Sequence, residues 1–304
     1  MPALINTALR ARINFPLPES KLANPQQYLD KFDINNLIPT QEEEIPIFDL
    51  REELEGGMAG MTAMEQLDEM GYAVVKHESQ FSSVENLSTV EGTDRYLEET
   101  CELFKTLLGA STVIAWNSVI RTADEAVAEK DTKETRQKQV EKALPPSTHI
   151  KATAGSAHVD QDEEYARTII KRAAGEDVFD KYSRLQIINL WRPLRGPVTN
   201  KPLAVSHFKT MEVEKDILRM AGSYGTAYSV SYSPQQRWGY LSHQMPSETL
   251  WLRCYDSNMG RNGEALYTGH VAADILNEPD PVGLEGKEKV PRISCEVRLV
   301  VLHE

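Results

Sequence analysis

The sequence PRISCEVRLVVLH, residues 291–303, decides the fold class. Its first half alternates between polar and apolar residues, which is the period-two pattern of a β-strand. Further short runs of β-type lie upstream, and each is bounded by Pro, Gly, Asp or Asn. They are LQIINLWRPL, PLAVSH, GTAYSVSYS, RWGYLS and TLWLRCYDS. Such runs within about 120 residues favour a barrel or jelly-roll sandwich over a parallel sheet.

Helical patterns precede this β-rich part. Residues 93–109, TDRYLEETCELFKTLLG, have the apolar spacing of an amphipathic helix that ends at a glycine, and a second helix is predicted at roughly 162–180. We therefore expect a mainly β domain with flanking helices, an α+β fold. Residues 1–45 are predicted to form an extended N-terminal arm, and residues 46–304 a single domain with its β core from about residue 150. The strongly charged residues 122–148 are expected to form a surface excursion.

Charge and composition exclude several classes of partner. The chain has 304 residues, a formal net charge of -13 and a sequence pI near 5.1. Such a protein repels nucleic acids and anionic membranes, so a small-molecule substrate is the expected partner. No apolar run approaches the roughly 18 residues of a membrane helix, and the N-terminus lacks a signal-peptide pattern. Three scattered cysteines indicate a reducing, cytoplasmic location, and the sequence permits a homodimer without specifying one.

A short motif, Ala-His158-Val-Asp160-Gln, contains candidate metal ligands. Two residues separated by one lie on the same face of a strand, so an imidazole and a carboxylate can meet at one ion. With a distant second His they would form the two-His, one-carboxylate triad that binds iron(II) and leaves three coordination positions open. A motif this short is unspecific by itself, and the alternative is a strand-end His capped by a nearby Asp.

His270 is the predicted second histidine. It follows a loop and precedes Arg292 by 22 residues, the order expected when the second metal ligand comes before a cosubstrate-binding arginine. His207 and His243 have apolar neighbours that are typical of core or strand-end histidines. His243 remains the alternative ligand.

Arg292 and Ser294 are candidates for binding the cosubstrate 2-oxoglutarate. The guanidinium of Arg292 can pair bidentately with the distal carboxylate, and the Ser294 hydroxyl can add a hydrogen bond. Both residues lie on the polar face of the last predicted strand, with Glu296 and Arg298. In the alternative interpretation this polar face is simply exposed to water.

Several of these segments together resemble a known family of fungal oxygenases. They are HVDQ, IINLWRPLRGPVTNKPLAV, SPQQRWGYLSHQMPSETLWLRCYDS, the His270 segment and PRISCEVR. The family includes gibberellin desaturase-like, aspergillic-acid hydroxylase-like and cephem methoxylase-related proteins. The resemblance extends from about residue 70 to the C-terminus. WRPL with GPV and PLA is fairly specific to the family, whereas the HxD and RxS patterns are shared with many iron oxygenases.

The resemblance implies a double-stranded β-helix fold and oxidation of a small secondary metabolite by hydroxylation or desaturation. It also implies iron(II), 2-oxoglutarate and dioxygen, with a ferryl intermediate. His158 and Asp160 match the first two metal ligands of the family, and Arg292 matches the cosubstrate anchor. At the third ligand the family usually has Pro-His-Thr, whereas this chain has Gly269-His270-Val271.

Two other functions remain open from the sequence. An iron-dependent oxidase of the same fold would need no 2-oxoglutarate, and Arg292 would then bind a carboxylate of the substrate. A metal-free β-sandwich binding protein would keep the fold and lose the iron. The intact His158 and Asp160 pair argues against the second of these.

Overall fold

The structure is a computed structural model that describes residues 9–29, 37–129, 150–221, 225–258 and 265–304. The strands in these ranges are β1 (Arg10–Pro16), β2 (Thr40–Asp49), β3 (Tyr72–Lys76), β4 (Thr112–Thr122), β5 (Ile150–Ala152), β6 (His158–Val159), β7 (Arg184–Pro193), β8 (Leu203–Ser206), β9 (Ile217–Ala221), β10 (Thr226–Val230), β11 (Trp238–Tyr240), β12 (Glu248–Asp256), β13 (His270–Ala272), β14 (Asp274–Ile275) and β15 (Ile293–His303). The α-helices are α1 (Leu50–Glu55), α2 (Ala63–Met70), α3 (Val84–Leu87), α4 (Val90–Leu108), α5 (Glu163–Ala174), α6 (Val178–Lys181) and α7 (Val213–Asp216). Short 3-10 turns lie at Glu19–Lys21, Pro25–Leu29 and Phe208–Thr210.

The described strands form two mainly antiparallel sheets. The larger sheet has nine strands in the order β14-β1-β2-β11-β8-β13-β6-β10-β9, and the smaller has six in the order β3-β12-β7-β15-β4-β5. Side chains from both sheets share one apolar cluster, for example Ile187 of β7 and Ala204 of β8. The sheets therefore pack face to face, as in a sandwich. All six of the predicted β runs contain strands of this core.

The two predicted helices differ from the observed ones at their ends. Helix α4 begins earlier than predicted because the Thr89 side chain accepts a hydrogen bond from the N–H of Gly92, and it ends at Gly109 with a φ of 64°. The helix predicted at 162–180 is divided at Gly175, whose φ of 103° is incompatible with a continuing helix. The N-cap of α5 is Asp162, which accepts a hydrogen bond from the Tyr165 N–H.

The predicted N-terminal arm contains strand residues. Arg10–Pro16 pairs antiparallel with Thr40–Asp49, and both strands belong to the nine-stranded sheet. The predicted boundary at residue 45 falls within β2, and the division of the chain stays a prediction. Of the predicted charged excursion, residues 130–148 lie outside the described residues.

Helix α4 covers the outer face of the six-stranded sheet. Its side chains Tyr96, Phe104 and Leu108 are buried, and the Phe104 ring stacks on Trp251 of β12 with 3.8 Å between ring centroids. The other face of the same sheet is turned towards the larger sheet and carries the polar residues of the candidate site. Among the described residues, no helix is long and apolar enough to cross a membrane.

Candidate metal centre

The structure brings His158, Asp160 and His270 together between the two sheets. Strand β6 lies between β13 and β10, and His158 is the direct cross-strand partner of His270. Their ring centroids are 4.4 Å apart. Asp160 follows His158 by two residues, so its side chain lies on the same side of the chain. Potential ligand atoms of the three residues all lie within 4.8 Å of one another.

Backbone carbonyls fix the orientation of both imidazoles. His158 Nδ1 lies 2.8 Å from the Ser156 carbonyl oxygen, and His270 Nδ1 lies 3.2 Å from the Thr268 carbonyl oxygen. Because a carbonyl can only accept, each Nδ1 must donate, and each Nε2 of a neutral ring keeps its lone pair. The two Nε2 atoms lie 3.3 Å and 3.9 Å from Asp160 Oδ1.

The protonation states of His270 and Asp160 suit a metal. Burial lowers the pKa of His270 to about 4, so its imidazole is neutral at pH 7. Burial raises the pKa of the Asp160 carboxyl, but the Arg298 guanidinium and the two imidazoles outweigh burial and hold this pKa well below its usual range. Nε2 of His270 is buried and has no hydrogen-bond partner among the described residues. An orphaned nitrogen that faces an ionised carboxylate fits a two-His, one-carboxylate iron(II) site.

The surroundings of residue 269 explain why a glycine precedes His270. Its N–H donates to Ser206 Oγ at 3.0 Å. A Cβ at residue 269 would lie 2.8 Å from the same oxygen and 3.1 Å from Val230 Cγ2. A proline, which the related family usually has here, would also lack the N–H. The contact with Ser206 therefore favours glycine at residue 269, and His270 lies on β13 with glycine before it.

Groups from the opposite sheet hold the second carboxylate oxygen of Asp160. Asn189 Nδ2 of β7 donates to Asp160 Oδ2 at 2.7 Å, and Arg298 of β15 contacts the same oxygen through Nε and Nη2, both at 3.1 Å. Arg298 Nε also lies 2.8 Å from Glu296 Oε1, and its Nη1 donates to Asn117 Oδ1 at 3.0 Å. The buried charges of Asp160, Glu296 and Arg298 thus form one hydrogen-bonded network.

Arg292 is buried beside this network, with 4% of its surface exposed. Its Nη1 donates to the Lys201 carbonyl oxygen at 2.5 Å, and its guanidinium carbon lies 5.2 Å from the centre of the Trp191 ring. Its Nε is buried without a hydrogen-bond partner among the described residues. Burial, together with the nearby charge of Arg121, lowers the pKa of Arg292 to about 9. Within the described ranges, no carboxylate forms an ion pair with this guanidinium.

The polar face of β15 is buried, so the interpretation that placed it in water is wrong. Ser294 is 1% exposed and lies across from Arg121 of β4. Glu296 and Arg298 are also buried and pair with each other, as expected for charges in an interior. Burial raises the pKa of the Glu296 carboxyl, and Arg298 opposes that rise.

Asn189 and Arg121 are two further residues of the candidate site that sequence patterns did not predict. Asn189 is a polar residue within the apolar run IINLW, and an amide in a fully buried strand requires a partner. That signal was present in the sequence. The position of Arg121 depends on the pairing of β4 with β15, and nothing in the local sequence specifies it.

The remaining described histidines lie elsewhere. His243 Nε2 is 3.4 Å from Glu278 Oε1, and His207 lines a pocket with Tyr72 and Trp238. His77 Nδ1 contacts Arg192, and His303 Nε2 contacts Gln186. His149 lies outside the described residues.

Replacing His270 with Ala should remove one of three iron donors. Because even outer groups around a metal ligand contribute about 10- to 100-fold to affinity, the dissociation constant for iron(II) should rise by at least about 100-fold. Anaerobic titration of the purified proteins with iron(II) measures it. His207→Ala and His243→Ala are the matched controls and should bind iron like the parent. Loss of iron binding in His243→Ala, with retention in His270→Ala, would reverse the assignment.

Curated relatives of the chain are fungal enzymes. It is 36% identical over 141 residues to "Hydroxylase/desaturase asaB" of Aspergillus flavus, which covers 40% of this chain and 57% of that protein. It is 27% identical over 244 residues to "Alpha-ketoglutarate-dependent dioxygenase phiK" of a fungal species, which covers 78% of this chain and 79% of that protein. The chain spans about half the length of two of its curated relatives. It covers 57% of asaB and 49% of "Aspirochlorine biosynthesis protein N" of Aspergillus oryzae.

A solved structure has the same fold. The chain superposes on "iron and alpha-ketoglutarate-dependent endoperoxidase NvfI" with a TM-score of 0.71, at 19% identity, over 97% of this chain and 98% of the other. At this identity the match concerns the fold, and it confirms the predicted jelly-roll core.

The names of the relatives confirm the predicted resemblance to fungal hydroxylases and desaturases, with iron(II), 2-oxoglutarate and dioxygen as the cofactors of the class. A family model described as "Oxidoreductase/YMDC permease-like domain" matches residues 17–302. Since this match spans nearly the whole chain, the protein belongs to the oxidoreductase/YMDC permease-like domain family.

Proposed function

We propose that the protein is a non-haem iron(II), 2-oxoglutarate-dependent dioxygenase that hydroxylates or desaturates a small secondary metabolite. One observation carries the proposal. The buried guanidinium of Arg292, which has no carboxylate partner among the described residues, lies on the same interior wall as the residues that contact Asp160. An iron site that binds an anionic cosubstrate requires metal donors and, beside them, a cation such as Arg292 that can pair with the anion.

His158, Asp160 and His270 would hold the iron. Two neutral imidazole nitrogens and one carboxylate oxygen are the donor set of iron(II) oxygenases. When bound, iron(II) with 2-oxoglutarate and dioxygen supplies an oxidant that can break an unactivated C–H bond. The protein residues position the substrate and keep water away from the site. The outcome, hydroxylation or desaturation, then depends on how the substrate is placed.

The position of Arg292 suits the far carboxylate of 2-oxoglutarate. In the register of β7 and β15, Asn189 pairs with Arg298 and Trp191 pairs with Glu296. The Arg292 guanidinium lies over Trp191, whereas Asp160 is contacted by Asn189. Trp191 and Asn189 are two residues apart on β7, which is roughly 7 Å along a strand. That offset is comparable to the length of a five-carbon diacid. One carboxylate could thus reach the metal while the other pairs with Arg292.

Arg121 adds positive charge to the same wall. It lies opposite Ser294 and donates to the Ala152 carbonyl oxygen at 2.8 Å. Burial is the main cause of the lowered pKa of Arg292, and the charge of Arg121 is the second. The two guanidinium groups therefore repel each other. An anion between or beside them would relieve the repulsion, which supports a dicarboxylate ligand at Arg292 and Ser294.

The alternatives make different use of the same residues. An oxidase without 2-oxoglutarate would place a substrate carboxylate on Arg292, and the geometry at this residue accommodates either anion. The names of the relatives favour 2-oxoglutarate. In a metal-free binding protein, His270 Nε2 and Arg292 Nε would stay buried without a hydrogen-bond partner among the described residues.

The substrate is inferred to be a small molecule, since the acidic chain disfavours nucleic acids and anionic membranes. A cytoplasmic location is proposed because Cys101, Cys254 and Cys295 form no disulfide. A homodimer is also proposed, and multi-angle light scattering of the purified protein would test it.

The activity is tested by following dioxygen and succinate together. The purified protein with iron(II), 2-oxoglutarate and a fungal metabolite extract should consume dioxygen and release equimolar succinate. Asp160→Ala is the matched inactive control. Dioxygen consumption without succinate would indicate the oxidase, and a parent protein that binds no iron(II) would indicate the metal-free class.

Replacing Arg292 with Leu should weaken 2-oxoglutarate binding specifically. Loss of a desolvated bidentate charge pair costs about 2–5 kcal/mol, so the dissociation constant for 2-oxoglutarate should rise at least about 100-fold. Iron(II) affinity measured without 2-oxoglutarate should stay near parental. Arg292→Lys should recover part of the loss, because it keeps the charge without the planar fork. Equal 2-oxoglutarate affinities in the three proteins would remove Arg292 from the site.

A further inference from the structure

The two oxygens of Asp160 have different surroundings. Oδ1 faces the Nε2 atoms of both histidines, at 3.3 Å and 3.9 Å. Oδ2 faces the other sheet and takes contacts from Asn189 at 2.7 Å and from Arg298 at 3.1 Å. An ionised carboxylate offers about two acceptor sites on each oxygen, so these two donors occupy those of Oδ2.

We infer that Arg298 and Asn189 are positioning residues that restrict Asp160 to binding a metal through Oδ1 alone. The inference rests on the proposed function, since it concerns how the iron is held. A carboxylate can otherwise ligate a metal with both oxygens. The donors that engage Oδ2 come from β7 and β15, so the six-stranded sheet sets the binding mode of a ligand that directly follows β6 of the nine-stranded sheet.

The binding mode decides how many positions remain for other ligands. On a six-coordinate metal, two histidines and one carboxylate oxygen would fill three positions and leave three for other ligands. A 2-oxoglutarate chelate would need two of these and dioxygen the third. If Asp160 bound through both oxygens, it would occupy a position that the keto acid or dioxygen requires. The contacts to Oδ2 therefore favour cosubstrate binding, although neither residue needs to touch 2-oxoglutarate.

The charge of Arg298 is balanced within the network. Its Nε also contacts Glu296 Oε1, and both side chains are buried. Removing Arg298 alone would leave two buried carboxylates, those of Asp160 and Glu296, without their shared cation, and that could unfold the protein. A fair test therefore neutralises both members of the pair.

The charge-balanced double variant Glu296→Gln with Arg298→Met tests the inference. Iron(II) and 2-oxoglutarate are titrated anaerobically, and the visible absorption of the iron–keto acid chelate is recorded. In the double variant, iron affinity should stay near parental or increase, because Oδ2 becomes available to the metal. The dissociation constant for 2-oxoglutarate should rise at least about tenfold, and the absorption maximum should shift.

Three further variants separate this role from a general effect on packing. Glu296→Gln alone retains both donors to Oδ2 and changes only what Arg298 and Asn189 contact at residue 296, so it should move the absorption maximum less than the double variant does. Arg298→Lys retains the charge with a single donor group and should fall between parent and double variant. Asn189→Ala removes the neutral donor to Asp160 Oδ2 and to Glu296 Oε1. It should shift absorption and affinity in the same direction by a smaller amount, which gives a test if the double variant does not fold.

The outcomes distinguish the inference from the proposed function. A parent protein that binds neither iron(II) nor 2-oxoglutarate would contradict the proposed function. The other contradicting outcome starts from a parent protein that binds both ligands. If the folded double variant, or Asn189→Ala in its place, then keeps the parental absorption and 2-oxoglutarate affinity, only the role of Arg298 and Asn189 is overturned.

Discussion

The cross-strand pairing of His158 with His270 is the constraint on which the site depends. It places two imidazoles side by side in the middle of the nine-stranded sheet, and it fixes the direction of Asp160 two residues later. Each imidazole is held by a carbonyl two residues before it, so the sheet itself sets which nitrogen faces the carboxylate. The arrangement of the candidate metal donors thus follows from strand register.

The opposite sheet supplies the electrostatics. Asn189, Glu296 and Arg298 approach Asp160 from β7 and β15. Arg292 lies further along the same wall, and no carboxylate in the described part of the chain pairs with it. Buried charges are costly unless they are paired, so a buried guanidinium without a carboxylate partner among the described residues indicates where an anion is expected. On the proposed function, the space between the sheets would therefore bind the metal at one end and an anion at the other.

Sequence patterns predicted the strands and most of this site, because both follow from local spacing. His158 and Asp160 share a face by their separation of two, and the alternation around Ser294 gave the polar face of β15. Alternation cannot tell whether that face meets water or another sheet, since the answer depends on partners distant in sequence. The same limit applies to Arg121, whereas Gly175 divides a predicted helix through a backbone conformation that apolar spacing does not report.

Anomalous diffraction at the iron absorption edge, from anaerobic crystals loaded with iron(II), tests the central claim most directly. The account predicts a single strong peak bounded by His158 Nε2, His270 Nε2 and Asp160 Oδ1, with Asp160 Oδ2 still turned towards Arg298. A peak beside His243 and Glu278, or no peak in crystals that contain stoichiometric iron, would contradict it.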